Sequence, residues 1–117
     1  MDDKITVYEK PTCTKCREAD RLLRESGVDF DKVNYYLEPI GEAKLRELLA
    51  KMGLAPRELL RTGEAVYKEL EIGERELSDD EIIRLMAEHP DLIQRPIVER
   101  GSRAVLGRPT ERIKDLL

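Results

Sequence analysis

Two cysteines stand three positions apart in "PTCTKCRE", Pro11 to Glu18, directly after a short apolar run. Three kinds of chemistry are open to such a pair: half of a metal site, a structural disulfide, or a reactive thiol couple. Zinc fails on arithmetic. A structural site takes four Cys or His ligands, whereas the chain supplies Cys13, Cys16 and a remote His89. No metal is therefore expected. Placement favours reactivity over two inert buried thiols. Cys13 falls between a predicted strand and a predicted helix, where unpaired amides and the helix dipole stabilise an anion and lower a thiol's pKa. Cys16 lies one turn further in and can approach Cys13. A Cys-x-x-Cys after the first strand of a βαβ unit reads as a redox motif. Cys13 is expected to be the nucleophile and Cys16 the more shielded resolving thiol.

The arginines divide into two groups. Arg21, Arg24, Arg46 and Arg84 lie among Glu and Asp on helix faces and read as solvated charge. Arg61, Arg95 and Arg108 stand at predicted junctions: before Thr62–Gly63, before Pro96, and between Gly107 and Pro109. Junctions bring side chains to the ends of a sheet, where α/β sites form. A guanidinium fork suits a tetrahedral oxyanion through paired, charge-assisted hydrogen bonds. With a thiolate, these three would make a site for an arsenate-like or phosphate-like anion.

The elements that must position these groups follow from periodicity. "KITVY" (residues 4–8) is β-branched and bounded by charge and Pro11, hence a strand. From Thr14, Ala19, Leu22 and Leu23 recur at helical spacing and Gly27 closes about three turns. "VDFDKVNYY" (28–36) alternates as a second strand, and strand–helix–strand implies a right-handed parallel unit. A helix over "GEAKLRELLAKMG" buries Leu45, Leu48, Leu49 and Met52. Two short helices are expected in "APRELLR" and "EAVYKELEI". Ser78 and Glu81 stand in capping-box spacing before Ile82, Ile83 and Met86. His89 reads as a group at that helix's C-terminal end rather than a base. "RPIVERGSRAVLG" predicts a hairpin of strands 97–100 and 103–106, and "PTERIKDLL" a closing helix capped by Thr110. Tyr8, Tyr35 and Tyr36 read as core or sheet residues.

The fold class expected is α/β: a four-stranded mixed sheet with flanking helices and a helical insertion, the order matching a thioredoxin-like layer. Residues 1–117 read as a single domain, with about 38–93 as the mostly helical insertion. Length suits one compact core without staples. Leu, Ile and Val recur throughout, which excludes disorder, and there are one Phe, four Tyr and no Trp. With 21 basic and 25 acidic side chains the net charge is −4, which argues against direct nucleic-acid binding. No run reaches the roughly 20 apolar residues of a membrane span, and "MDDKITVY" lacks a signal pattern. A cytoplasmic protein is expected, and in that reducing compartment a persistent disulfide is not.

Four stretches, "YEKPTCTKCREA", "LLRTGEAVYKEL", "EHPDLIQRPIV" and "VLGRPTERI", resemble successive motifs of the glutaredoxin-coupled arsenate reductase family, whose relatives include the Spx-type transcriptional regulators. The resemblance runs over nearly the whole chain and implies a thioredoxin-like fold. It implies that Cys13 is the catalytic cysteine, that Arg61, Arg95 and Arg108 bind arsenate, and that Pro96 is cis and faces the cysteine. Arg17 and Thr12, flanking the motif cysteines, are supporting candidates. Cys16 departs from the reductases, in which Ser is common there and glutathione resolves the intermediate; the regulators carry Cys-x-x-Cys as a switch. The activity implied is reduction of arsenate or a similar oxyanion by a monomer without a bound cofactor. Glutathione with glutaredoxin, or thioredoxin, would supply electrons. A redox-sensing regulator binding RNA polymerase and a general dithiol–disulfide oxidoreductase are the alternatives.

Overall fold

The structure is a computed structural model and describes residues 4–117; the first three residues of the N-terminal stretch considered above lie outside it. Two compact units are present: the chain up to Glu38 together with Arg95–Leu117, and Pro39–Gln94.

The first unit carries the sheet. β1 (Ile5–Glu9) leads into α1 (Thr14–Glu25) and β2 (Phe30–Asn34), and after the second unit the chain returns through β3 (Ile97–Arg100) and β4 (Arg103–Leu106). The sheet order is β2-β1-β3-β4. β1 pairs parallel with β2 and antiparallel with β3, and β3 antiparallel with β4. The sheet is thus mixed, as the element order implied. Side chains alternate along a strand, so Ile5 and Val7 of β1 and Val98 of β3 share one face. There they join Ala19 and Leu23 of α1 and Ile113 and Leu116 of the C-terminal segment in a single buried cluster. Both terminal helical elements of this unit therefore pack on one face. On the opposite face the Tyr8 hydroxyl donates to Glu99 Oε1 at 2.9 Å, and both residues are buried.

Three local readings change in this unit. β2 stops at Asn34 rather than Tyr36. The Asn34 side chain accepts from the Tyr36 amide at 3.0 Å, and its carbonyl accepts from the amides of Leu37 and Glu38. An Asx turn of this kind offers the backbone an alternative to the ladder. The closing segment, Thr110–Leu116, is a 3-10 helix, and its N-cap is Pro109. Thr110 is not the cap: its hydroxyl is spent on Glu18 Oε2 of α1 at 3.1 Å.

The second unit is helical: α2 (Glu42–Met52), α3 (Ala65–Glu69) and α4 (Asp79–Glu88), with 3-10 turns at Pro56–Leu59, Ile72–Glu74 and Pro90–Leu92. Leu45, Leu48 and Leu49 of α2 and Ile82, Ile83 and Met86 of α4 are buried; Met52 is half-buried. "APRELLR" thus forms a 3-10 turn, because Leu60 leaves the helix to pair with Ile93 in an isolated antiparallel bridge. "EAVYKELEI" is interrupted at Glu71, whose φ of 52° breaks the helical run. Ser78 caps α4 as the sequence requires, accepting from the Glu81 amide while the Glu81 carboxylate accepts from the Ser78 amide. His89 is the C-cap of α4. Among the described residues no helix is long and apolar enough to cross a membrane.

Candidate active site

Cys13 is the N-cap of α1, with φ −82° and ψ 129°. Its carbonyl already accepts the first helical bond, from the Arg17 amide at 3.1 Å, and its own amide is tied back to the Lys10 carbonyl at 3.0 Å. The loop from β1 is therefore pinned on both sides of the cysteine. Cys13 is half-buried and Cys16 is buried, and both thiols are free. The sulfur makes no ordinary side-chain capping bond, but it sits where the first-turn amides point.

The two thiols are driven in opposite directions. Burial alone would push the Cys13 thiol up. The Cys16 amide, the Cys16 thiol, the Arg95 guanidinium and the Lys15 amide all favour its charged form, and together they hold it below the ordinary thiol range. Burial pushes Cys16 up to about 12, aided by the neighbouring Cys13 and Glu9 and only partly opposed by the Lys10 backbone. A thiol held low at Cys13 beside one pushed up at Cys16 is the contrast that a nucleophile and a shielded resolver would need.

Arg95 is the cation of this site. It is 7% exposed. Burial disfavours its charge, but Tyr35, Tyr36 and the Cys13 sulfur outweigh that and keep it firmly protonated. One amino group donates to the Tyr36 hydroxyl at 3.4 Å, while its buried Nε has no hydrogen-bond partner. The rest of the guanidinium is engaged by Tyr35, Tyr36 and Cys13, so Nε is the donor left open in a site where buried polar groups are as a rule paired. Tyr35 is fully buried and its ring lies 5.1 Å from that of Tyr36. Lys10 sits 4.9 Å over the Tyr36 ring.

Arg108 follows the second strand of the hairpin, at the same open end as Arg95. Its Nε donates to the Arg95 carbonyl at 2.7 Å, and the neighbouring Gly107 amide donates to the Pro96 carbonyl at 2.9 Å. The Arg95–Pro96 peptide is cis, the form the family resemblance implied, and so is Arg108–Pro109. The two ends of the hairpin are thus stapled together. Gly107 is buried, and a Cβ there would meet Pro96 Cγ at 3.0 Å, a tight approach to the cis-proline ring.

Arg61 lies in the second unit. Its Nε pairs with Glu64 Oε1 at 3.0 Å and a terminal amino group reaches Gln94 Oε1 at 3.5 Å. Arg17 is exposed and makes only a 3.5 Å contact to the Thr12 carbonyl; Thr12 is exposed as well. Tyr36 reads from sequence as a core or sheet residue at the end of the second strand, and no sequence signal sets it apart; in the structure it lies in the turn after β2. Glu9 was missed despite a legible signal: alternation from Ile5 through Val7 carries it onto the packed face, and it is 6% exposed.

A half-buried cysteine at a helix start, a buried second thiol and a buried guanidinium, set on a mixed four-stranded sheet, place the chain in the thioredoxin-like fold class. The comparisons give the family. The ArsC family model matches residues 8–116, and the chain belongs to that family. A protein of Escherichia coli strain K12, "Uncharacterized protein YfgD", is 38% identical and aligns over 100% of this chain and 99% of its own length. An "Arsenate reductase" of Neisseria meningitidis (strain DSM 15465 / Z2491) is 36% identical over 97% of this chain and 98% of its own. The structure "Arsenate reductase from Vibrio cholerae" superposes with a TM-score of 0.94 and 36% identity, covering 100% of both chains. Full-length likeness to named reductases makes this chain an enzyme of the family.

Proposed function

We propose that the protein is a thiol-dependent arsenate reductase-like oxidoreductase, in which the Cys13 thiolate attacks an arginine-bound oxyanion and Cys16 resolves the product. The observation that carries this reading is the Arg95 guanidinium, buried against the Cys13 sulfur with its Nε unpaired.

In this reading an arsenate oxygen accepts from Arg95, with Arg108 beside it, and the amides at the start of α1 add partial positive charge. Fixed donors aimed at developing negative charge need no reorganisation during reaction, and they offset the repulsion between a thiolate and an anion. The Cys13 sulfur forms a bond to arsenic and an oxygen leaves as water. Cys16 then attacks the Cys13 sulfur: the S–S bond forms, the S–As bond breaks, and its electron pair stays on arsenic. Arsenic(V) is reduced to arsenite while two thiols are oxidised to a disulfide. A thioredoxin- or glutaredoxin-type dithiol reduces that disulfide. An intramolecular thiol held one helical turn away has a large effective concentration, which favours Cys16 over glutathione as the resolver.

The test is arsenite formation from arsenate with thioredoxin, or with glutathione and glutaredoxin. Wild type is expected to turn over with thioredoxin, Cys13→Ser to be inactive, and Cys16→Ser to become dependent on glutathione. Unchanged thioredoxin kinetics in Cys16→Ser would remove Cys16 from the mechanism. Retained turnover in Cys13→Ser would show the nucleophile to be wrong.

A further inference from the structure

The same alternation that buries Ile5 and Val7 under α1 turns Glu9 toward the helix at the level of Cys16. β2 runs parallel beside it with Val7 opposite Lys32 and Glu9 opposite Asn34, so Lys32 faces the same way. Cys16 and Asp20 lie one turn apart on α1, above these strands. Between them is a cleft of about 110 Å³ lined by Glu9, Pro11, Cys16, Arg17, Asp20 and Lys32. That volume admits water, and the lining offers it polar partners. The cleft lies on the Cys16 side of the motif. Glu9 is 6% exposed, the most buried of the charged groups there. Asp20 is already engaged by Lys32 at 3.2 Å and Arg24 at 2.7 Å.

We propose that Glu9 is the proton acceptor for Cys16, working across this cleft, and that it returns the proton when the disulfide is reduced. The inference rests on the reading of Cys16 as resolver. A neutral thiol is a poor nucleophile, so the attack on the Cys13 sulfur needs the Cys16 proton removed as the S–S bond forms. The Glu9 carboxylate takes that proton while the electron pair of the breaking bond leaves with the group on Cys13. In the reverse direction an external thiolate attacks the Cys13 sulfur, the S–S bond breaks toward Cys16, and Glu9 protonates the departing sulfur. Burial raises the Glu9 carboxyl above its ordinary value, with Lys32 opposing and Asp20 adding to the rise, and a base closer to neutrality is better matched to a thiol. Glu9 in turn helps to keep Cys16 protonated until attack. The charged or titratable groups facing this pair are Glu9 on β1, Cys13, Arg17 and Asp20 on or before α1, and Lys32 on β2.

The test needs no arsenate. The reduced full-length protein is mixed with one equivalent of 5,5′-dithiobis(2-nitrobenzoate) and coloured thiolate release is followed by stopped flow. Cys13 attacks the reagent in a first phase, and Cys16 displaces the second thiolate in a slower one. Glu9→Gln is expected to slow the second phase about a hundredfold at neutral pH, to make it climb steeply with pH, and to leave the first phase within about twofold. The first phase reports in the same trace that the site is folded. An unchanged second phase in Glu9→Gln would overturn the assignment. So would equal loss of both phases, which would make Glu9 structural, or a loss confined to Asp20→Asn, which would move the base to Asp20. Cys16→Ser should show no second phase. If it does, the resolver reading itself fails, a result distinct from failure of Glu9.

Discussion

Replacing Arg95 by Gln removes the guanidinium that bonds to the Cys13 sulfur. A hydrogen bond to a charged group contributes about 1.5–3 kcal/mol, and one pKa unit corresponds to about 1.4 kcal/mol. The lost contact therefore amounts to roughly one to two units. Cys13 is half-buried, and water entering the vacated space will solvate the thiolate, so the lower end, about one unit upward, is expected. The Lys15 and Cys16 amides remain and keep the shift from being larger. The assay is the rate of iodoacetamide alkylation at Cys13 against pH, read by mass spectrometry of the peptide. Cys16, pushed up to about 12, stays silent across the range used. Arg95→Lys, which keeps the charge but not the fork, should fall between wild type and Arg95→Gln. Tyr36→Phe removes only the 3.4 Å bond that steadies Arg95 and should move the midpoint by less than about half a unit. A midpoint in Arg95→Gln within about 0.3 unit of wild type would refute the reasoning, because the amides alone would then set the thiolate.

Gly107→Ala forces a Cβ to 3.0 Å from Pro96 Cγ and 3.3 Å from Ile113 Cδ1; overpacking of this kind should cost about 1–3 kcal/mol in urea denaturation, and an unaltered midpoint would contradict the contact. Cys16 carries a folded-state pKa of about 12 against an ordinary 9.0, so the folded state holds the extra proton. Its stabilisation is whole below pH 9 and is lost as pH rises toward 12, by up to about 1.4 kcal/mol per unit. Urea curves at increasing alkalinity should fall more steeply in wild type than in Cys16→Ala, and parallel curves would remove the buried-thiol account. Ser78→Ala breaks the capping box of α4 and should cost about 1 kcal/mol by the same measurement.

Much of the framework was legible because local signals agreed with one another. The β-branched run at Ile5–Tyr8, the stop at Gly27, with φ of 73°, and the turn after Arg100 each have one good local solution. The capping box at Ser78 fixed the start of α4 for the same reason. Where a side chain competed with the backbone, periodicity misled. Asn34 ended β2 early, and Thr110 bonded Glu18 instead of its own helix. The cysteines were readable from spacing, since the start of a helix after a strand already separates an outer from an inner thiol. The surroundings of Arg95 were not. Tyr36 is 59 positions away in sequence, and no local pattern announces that contact. Nor does any pattern announce that Arg108 spends its Nε on the Arg95 carbonyl. Glu9 was the exception: its burial was available from alternation, and a charged residue on a packed face was itself the clue.

The thiolate-to-oxyanion step is open to direct observation. In Cys16→Ser treated with arsenate and no glutathione, the adduct cannot be resolved internally. X-ray absorption at the arsenic edge should then show one sulfur in the arsenic shell, and that signal should vanish when Cys13→Ser is added. An arsenic shell of oxygen alone, or a sulfur signal that survives loss of Cys13, would contradict a nucleophilic Cys13 held beside Arg95.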